Sequence, residues 1–406
     1  MVRKKQTIKL TFACILSLTF ALCFFHTTQQ STWCLENIGD SEIHRNKGNK
    51  TILEGIDLLY NREFDGAEVL FQKLVSESPN KPAGHFYLAM VTWSRMVSGF
   101  WTPEIIAEYK KRIDRTIQVA KRSIKYGAKD SYDYFYMGGA LGFQGRYELM
   151  KRNWFTSFLI SRKAIKALKK CIKMDTNNKD VFLGLGTFDY YTARFSGILK
   201  FLTYFFVHKG NIEDGLRKLH IAAEEATFSK TEAKSVLLHI YLYFEEDYSQ
   251  ALNLARVLGE KYSQDPTYRH FEGVACIKLG LETEYMETLN YMYMRSRQAQ
   301  TSEKALLWQR RALYLASIYD LFHFHYPEAR SKLKTILTES DPKNDPAMIA
   351  WPLIKIGLTF DFEGDRETAK GYYQKVLNME NASGAQFMAE KCLGQCPGKK
   401  DPKIGY

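Results

Sequence analysis

Apolar residues recur at every third or fourth position along most of this chain, and this spacing predicts amphipathic helices. The clearest example has apolar residues stepping by three or four from Ile105 to Ile124. Thr102 and Pro103 precede it as an N-cap and a first-turn proline, and Gly127 follows it as a stop signal. No segment alternates convincingly between apolar and polar residues with a period of two. The pattern therefore predicts an all-α protein.

Two predicted helix pairs at opposite ends of the chain share one spacing of small and aromatic residues. In each pair a glycine is followed twelve positions later by an alanine, and four positions after that by an aromatic residue. Small residues are expected where two helices touch. The six residues are Gly55, Ala67 and Phe71 in the first pair and Gly357, Ala369 and Tyr373 in the last. Because one helix pair cannot bury its own apolar face, the repeated spacing predicts a stack of pairs.

Four glycines between these pairs are also interpreted as packing residues. Gly138, Gly142 and Gly145 fall at positions i, i+4 and i+7, which makes one smooth face on a helix. Gly184 opens a similar segment. A phosphate-binding loop is the alternative, and it is disfavoured because no Lys-Ser or Lys-Thr follows and no strand precedes.

The last pair, Ala350 to Met379, resembles a tetratricopeptide repeat, which indicates an α-solenoid of antiparallel helix pairs over residues 49–395. Residues 134–280 are similar to the tetratricopeptide-repeat 39 group, which is related to the inclusion-body clearance proteins of yeast. The matching segments are Phe135 to Gly145, Gly184 to Tyr191, Lys209 to Leu219 and Leu237 to Tyr241. The resemblance implies an all-helical adaptor linked to proteins or lipids, and it brings no catalytic residues.

The amino terminus has the pattern of an export signal. Residues 1–9 are basic without an acid, and Leu10 to Phe25 is almost wholly apolar. We predict a signal peptide or signal anchor over residues 1–30, and a buried core helix is the alternative. A polar tether over 31–48 and a loose basic tail over 396–406 complete the predicted domains. This places the chain in the periplasm or on a membrane anchor facing it, as a relative from the bacterial envelope.

The formal charge of the chain is +12, and four of these charges lie in the amino-terminal segment. We expect the rest to be spread over helical faces, giving mild attraction for acidic partners or anionic lipid. Basic residues do not alternate with aromatic ones as in a stacking platform, so no nucleic-acid partner is expected.

No pattern of catalytic or metal-binding residues is convincing. His323 and His325 are two apart, so on one helix they would point to opposite sides. Cys392 and Cys396 leave three alternatives open: free or structural thiols, a local disulfide, or a metal site. We therefore expect no catalytic residue, no cofactor and no metal.

The sequence predicts a non-enzymatic scaffold that binds a peptide or helix of another envelope protein in the groove of a repeat superhelix. The guessed contact residues are Tyr190, Tyr191 and Arg194. An alternative is a lipid or small-ligand binder at the membrane surface, based on the aromatic run Ile198 to Val207, which could also be a buried helix. An enzyme assembled from distant residues ranks last.

Overall fold

The structure is a computed structural model and describes residues 40–127, 130–151, 153–194, 210–341, 345–395 and 398, with side chains from residue 48 and without that of Trp154. The predicted export segment, the aromatic run Ile198 to Val207 and all of the tail except residue 398 lie outside the described residues. Within the described part, no helix is long and apolar enough to span a bilayer.

The described residues form seventeen α-helices and no strand, so the predicted all-α class is confirmed there. The first eight helices are α1 Asp40–Tyr60, α2 Phe64–Glu77, α3 Pro82–Val97, α4 Pro103–Tyr126, α5 Ser131–Met150, α6 Trp154–Met174, α7 Val181–Ala193 and α8 Ile212–Glu225. The others are α9 Lys230–Ile240, α10 Tyr248–Lys261, α11 Pro266–Leu279, α12 Glu282–Arg297, α13 Ser302–Phe322, α14 Tyr326–Glu339, α15 Ala347–Glu363, α16 Arg366–Leu377 and α17 Ala385–Gly394. A π-helical turn, Tyr241–Glu245, continues α9.

The chain divides into two compact units. The N-terminal unit contains residues 40–98 and 102–236 of the described chain, and the C-terminal unit contains residues 99–101 and those from 237 onward. In both units consecutive helices pack together as pairs. We call the odd-numbered helices from α1 to α15 the first helices and the even-numbered ones the second helices, and α17 packs against the last pair.

Helix starts follow the polar residues that the sequence places before them. Thr102 accepts a hydrogen bond from the backbone N–H of Ile105, and Pro103 opens α4, which confirms the predicted N-cap. Side chains cap further helices in the same way because they satisfy the N–H groups that a first turn leaves without partners. These caps are Asp130, Asn211, Asp247, Asp265, Thr301 and Asp365.

Helix α1 begins at Asp40, ahead of the array start predicted at residue 49. Residues 40–48 were predicted to belong to a polar tether. An Asp-Ser-Glu start suits a helix N-terminus, where acidic side chains are favoured, and polar composition alone does not prevent helix formation.

Aromatic rings fill the core of the N-terminal unit. Ring centroids follow one another from Phe71 to Tyr87 at 5.0 Å, to Tyr136 at 6.0 Å, to Tyr132 at 6.3 Å and to Phe228 at 5.7 Å. These contacts connect α2 with the segment that precedes α9. The high aromatic content of the sequence therefore serves packing between helices in this unit.

Candidate binding surface on the first helices

The first helices of each unit contact one another as well as their own partners. In the N-terminal unit α1 contacts α3, α3 contacts α5 and α5 contacts α7, and in the C-terminal unit α11 contacts α13 and α13 contacts α15. Side chains from successive first helices therefore meet in one layer. Residues far apart in sequence can form a common site in that layer.

In the C-terminal unit this layer contains buried basic side chains. His270 on α11 is 3 % exposed and Lys355 on α15 is 1 % exposed. Arg311, on α13 between them, is partly exposed. We call His270, Arg311 and Lys355 the basic cluster. Burying such groups is costly, so their position on three successive first helices needs a physical reason.

His270 is neutral in this environment. Burial lowers the pKa of His270 well below the usual value of 6.5, and the positive charges of Arg311 and Lys355 lower it further. Its ring stacks on Tyr314 at 5.5 Å and contacts Phe271 at 5.7 Å. No described residue forms a hydrogen bond with Nδ1. A ligand at the cluster would therefore meet positive charge and an imidazole nitrogen among aromatic rings.

Aromatic and histidine side chains continue this layer onto α9. His239 contacts the ring of Phe271 at 4.6 Å, and Tyr243 in the π-helical turn contacts the same ring at 6.3 Å. Burial raises the pKa values of Tyr243 and Tyr314, so both phenols stay protonated at neutral pH. The layer is thus apolar and aromatic around a positive centre, a combination suited to a partner that carries an acidic group.

In the N-terminal unit the corresponding layer buries acidic side chains. The Oδ1 atom of Asp180, just before α7, accepts hydrogen bonds from the backbone N–H groups of Phe228 and Ser229 at 2.6 and 2.7 Å and from the Ser229 hydroxyl at 2.9 Å. Burial raises the pKa of Asp180 to about 8, and the bonds from Ser229 and Thr227 oppose that rise. The side chain joins the start of α7 to the start of α9.

A second buried acid joins the first and the last helices of this unit. The Tyr60 hydroxyl at the end of α1 donates to Glu232 Oε2 at 2.8 Å. Glu232 is 4 % exposed, and the two residues are 172 positions apart in sequence. Both acids act as structural ties, and neither faces an open site.

The three guessed contact residues lie in the packed interior or at its edge. Tyr190 and Tyr191 are 0 % and 2 % exposed, and their rings contact each other at 5.1 Å. The guanidinium of half-buried Arg194 lies 5.0 Å from the Tyr190 ring. The structure shows helix packing for these tyrosines, and their contact with a partner stays a prediction.

The glycine and aromatic residues of the shared spacing lie directly against one another. A Cβ atom built on Gly55 would lie 2.5 Å from Phe71 Cε1, and one built on Gly357 would lie 2.5 Å from Tyr373 Cε1. Ala67, Phe71, Ala369 and Tyr373 are all fully buried. In both pairs the glycine leaves the space that the aromatic ring of the second helix occupies.

The other glycines serve the α5–α6 and α6–α7 contacts. A Cβ on Gly138 or Gly184 would meet the Leu168 side chain at 2.7 or 2.5 Å, and one on Gly145 would lie 3.0 Å from Ser161 Oγ. Gly142 is buried on the same helix as Gly138. All four lie within helices, so they do not form a phosphate-binding loop.

The histidine pair differs from its predicted arrangement. His323 and His325 lie in the turn between α13 and α14, where Phe324 has a φ of 65°, and their ring centroids are 6.3 Å apart. Neither histidine lies on a helix, so the expectation of opposite sides on one helix does not apply to them. Among the described residues, no group of three or more histidine, cysteine or acidic side chains could hold a metal.

The described cysteines are buried. Burial raises the pKa of the Cys171 thiol to about 12 and that of Cys276 to about 11, so neither is a thiolate at neutral pH. Cys392 is buried on α17. Cys396 lies outside the described residues, so all three alternatives for this pair stay predictions.

Comparisons with known proteins give structural likeness only. No family model matches the chain, and no curated protein is similar to it in sequence. A tetratricopeptide repeat protein from Parabacteroides merdae is similar at 8 % identity with a TM-score of 0.32, over 71 % of this chain and 92 % of that one. Yeast Tom70 is similar at 10 % identity with a TM-score of 0.39, over 86 % and 89 %.

The tetratricopeptide repeat domain of P58(IPK) is similar at 15 % identity with a TM-score of 0.20, over 86 % of this chain and 99 % of that one. At such identities and scores these likenesses identify neither a family nor a partner. The chain's own contacts define the class: over the described residues it is an all-α protein built from consecutive packed helix pairs.

Proposed function

We propose that the protein is a non-enzymatic scaffold that binds an acidic segment of another protein at the basic cluster of the C-terminal unit. The observation that supports this most directly is that His270, Arg311 and Lys355 lie on three successive first helices, with both positive charges acting on the buried His270 ring. Arg311, on the middle of these helices, is partly exposed. An acidic group from a partner would pair with the partly exposed guanidinium of Arg311, beside packed helices that lower the local dielectric constant and strengthen the interaction.

The aromatic surroundings suit a peptide more than a free small anion. Phe271 and Tyr314 flank His270, so apolar side chains beside the acidic group would gain contact area. The neutral imidazole adds one donor and one acceptor for backbone groups. A segment with one acidic residue between apolar residues fits this arrangement.

Peptide binding by the full-length protein tests the proposal. Fluorescent octapeptide pools would carry one glutamate between apolar residues, and matched pools would carry glutamine there. We expect selective binding of the glutamate pool, weakened at least tenfold by Arg311→Met, because losing a hydrogen bond to a charged group costs about 1.5–3 kcal/mol. Arg297→Met is the matched control, since Arg297 is exposed at the end of second helix α12. Equal binding of both pools would refute the proposal.

We also propose that the partner is another protein of a bacterial cell envelope and that the chain is exported. The support is the basic flank and the apolar segment of residues 1–30. The resemblance of residues 134–280 to the tetratricopeptide-repeat 39 group supports an adaptor role. A reporter enzyme active only outside the cytoplasm, fused after residue 48, should be active, and it should lose activity when the apolar segment is deleted. An active reporter without that segment would contradict export by this route.

A further inference from the structure

Helix α6 carries a concentrated positive charge. Residues 151–174 contain eight lysine or arginine residues and no acidic residue, in a chain whose formal charge is +12. The expectation that the excess charge is spread over many helical faces was therefore wrong. A block of like charge of this length needs a partner or exposure to solvent.

The structure exposes this charge on one side of the helix. Ala164, Ala167, Leu168 and Cys171 are buried on the side that packs against α5. The five lysines are exposed on the other side, and within the described chain none of them forms an ion pair. They are Lys163, Lys166, Lys169, Lys170 and Lys173.

Exposed apolar side chains lie at the ends of the same helix. Phe155 is 62 % exposed and Leu159, one turn further on, is 39 % exposed. Met174 at the other end is 37 % exposed. A helix with lysines along its exposed side and apolar side chains beside them has the composition of helices that lie at a membrane interface.

Helix α4 extends the basic surface. Like α6 it packs against α5, and its last twelve residues, 115–126, expose basic residues and no acidic one. Tyr126 at its end is 73 % exposed. The exposed basic residues are Arg115, Lys121, Arg122 and Lys125. Two second helices of one unit therefore present the same sign of charge together with an exposed ring.

We propose that the exposed face of α6 docks on an anionic lipid bilayer. Five of the six basic residues within α6 are lysines. A lysine carries its charge on a compact ammonium group and lacks the planar guanidinium with which arginine forms two parallel hydrogen bonds to one phosphate. Between Lys163 and Lys173 no aromatic residue lies among the lysines, unlike in a nucleic-acid stacking surface. An acidic protein would satisfy the charge but leave Phe155 and Leu159 without a role. This proposal goes beyond the peptide-binding function and uses different helices.

Sedimentation with lipid vesicles tests the proposal on the full-length protein. Each variant is measured with pure phosphatidylcholine vesicles and with vesicles containing phosphatidylglycerol, so that binding to neutral lipid is subtracted. Each lysine near an anionic surface contributes up to about fivefold in affinity. We expect the anionic-lipid-dependent binding to fall at least tenfold in the variant with Lys166, Lys169, Lys170 and Lys173 changed to Gln. We also expect added salt to weaken vesicle binding by the unmodified protein.

A control variant removes the same charge elsewhere. Lys73, Lys304, Lys334 and Lys375 are exposed on other helices, and their change to Gln should leave the anionic-lipid-dependent binding within about twofold. Phe155→Ser with Leu159→Ser, which keeps all charges, should weaken it by roughly tenfold if the apolar side chains insert. Equal losses in the two lysine variants would overturn the proposal. Duplex DNA or polyglutamate that binds the α6 face more tightly than the vesicles would also overturn it.

Discussion

Replacing Gly357 with alanine tests the helix contact on which the repeat structure depends. The added Cβ would lie 2.5 Å from Tyr373 Cε1 and 3.0 Å from Cδ1 and Cζ. The ring of Tyr373 is fully buried, and its hydroxyl donates to Asp361 Oδ2 at 2.6 Å. Because the ring is fixed at both ends, the helices must move apart or the hydroxyl must give up its bond.

The expected magnitude follows from two opposing effects. Overpacking of a close-packed core costs about 1–3 kcal/mol. Alanine gains about 0.5–1 kcal/mol over glycine in a helix interior. Gly357→Ala should therefore lower the free energy of unfolding by roughly 0.5–2 kcal/mol, and more if the Tyr373 hydroxyl loses its partner.

Gly371→Ala is the matched control. Gly371 lies inside α16, is exposed, and has no atom within 4 Å of a built Cβ. This change should raise stability by about 0.5–1 kcal/mol, so the two glycines should give opposite signs. Urea unfolding followed by circular dichroism measures both changes, and amide hydrogen exchange over α15 and α16 shows whether the effect is local.

The reasoning also makes a prediction about the pair. In a Tyr373→Leu background the ring is gone, so Gly357→Ala should cost less than it does alone. A Gly357→Ala protein as stable as Gly371→Ala, with normal exchange in α15, would refute the close contact between the two helices. Equal costs in both backgrounds would show that Tyr373 is not the residue in conflict.

Three further changes test other contacts. Because burial raises the pKa of Asp180 to about 8, its carboxyl is protonated at pH 7. Asp180→Asn keeps the Oδ1 acceptor and should lower the free energy of unfolding in urea by less than about 1 kcal/mol, whereas Asp180→Ala should lower it by about 2–4 kcal/mol. Equal losses in the two variants would contradict a neutral carboxyl. The lowered pKa of His270 means that below pH 6.5 the unfolded state binds a proton that the folded state does not. As the pH falls below 6.5, the free energy of unfolding should therefore fall by up to about 1.4 kcal/mol per pH unit. A His270→Phe protein with the same slope would contradict this. Arg366 donates hydrogen bonds to the carbonyl oxygens of Cys392 and Leu393 at 2.6 and 2.9 Å. Arg366→Ala should therefore speed amide hydrogen exchange in α17 and leave exchange in α11 unchanged. Unaltered exchange in α17 would contradict this contact.

Features that depend on neighbouring residues in the sequence were predictable. The N-cap at Thr102 and the helix end before Gly127 follow from the chemistry of a helix terminus, which involves only a few adjacent residues. The spacing of Gly357 and Tyr373 was also readable, because the two helices that it joins are consecutive. Such short-range rules do not depend on how the rest of the chain folds.

The basic cluster could not be predicted in this way. His270, Arg311 and Lys355 lie on three helices, each more than forty positions along the chain from the one before, and only the contacts between first helices bring them together. One signal was present in the sequence: Lys355 interrupts an otherwise apolar stretch of α15. A lysine inside an apolar helix indicates either a buried charge or a site, and the sequence alone does not distinguish these.

The basic residues of α6 were visible in the sequence, but they were interpreted as part of a net charge spread evenly over the chain. Their significance depends on which side of the helix is buried, since lysines paired with acids of a neighbouring helix would bring no net field.

The two proposed surfaces use charge in different ways, and ionic strength should separate them. At Arg311 a partly buried charge lies among the packed first helices, where salt screens less and a partner's acidic group would act over a short distance. On α6 the lysines lie in water, where each contributes little alone and screening by salt is strong. Raising the salt concentration from about 0.1 to 0.5 M shortens the screening length well below 10 Å. Vesicle binding should then fall at least tenfold while binding of the glutamate peptide falls less than about threefold, and parallel losses would show that both depend on the same exposed charges.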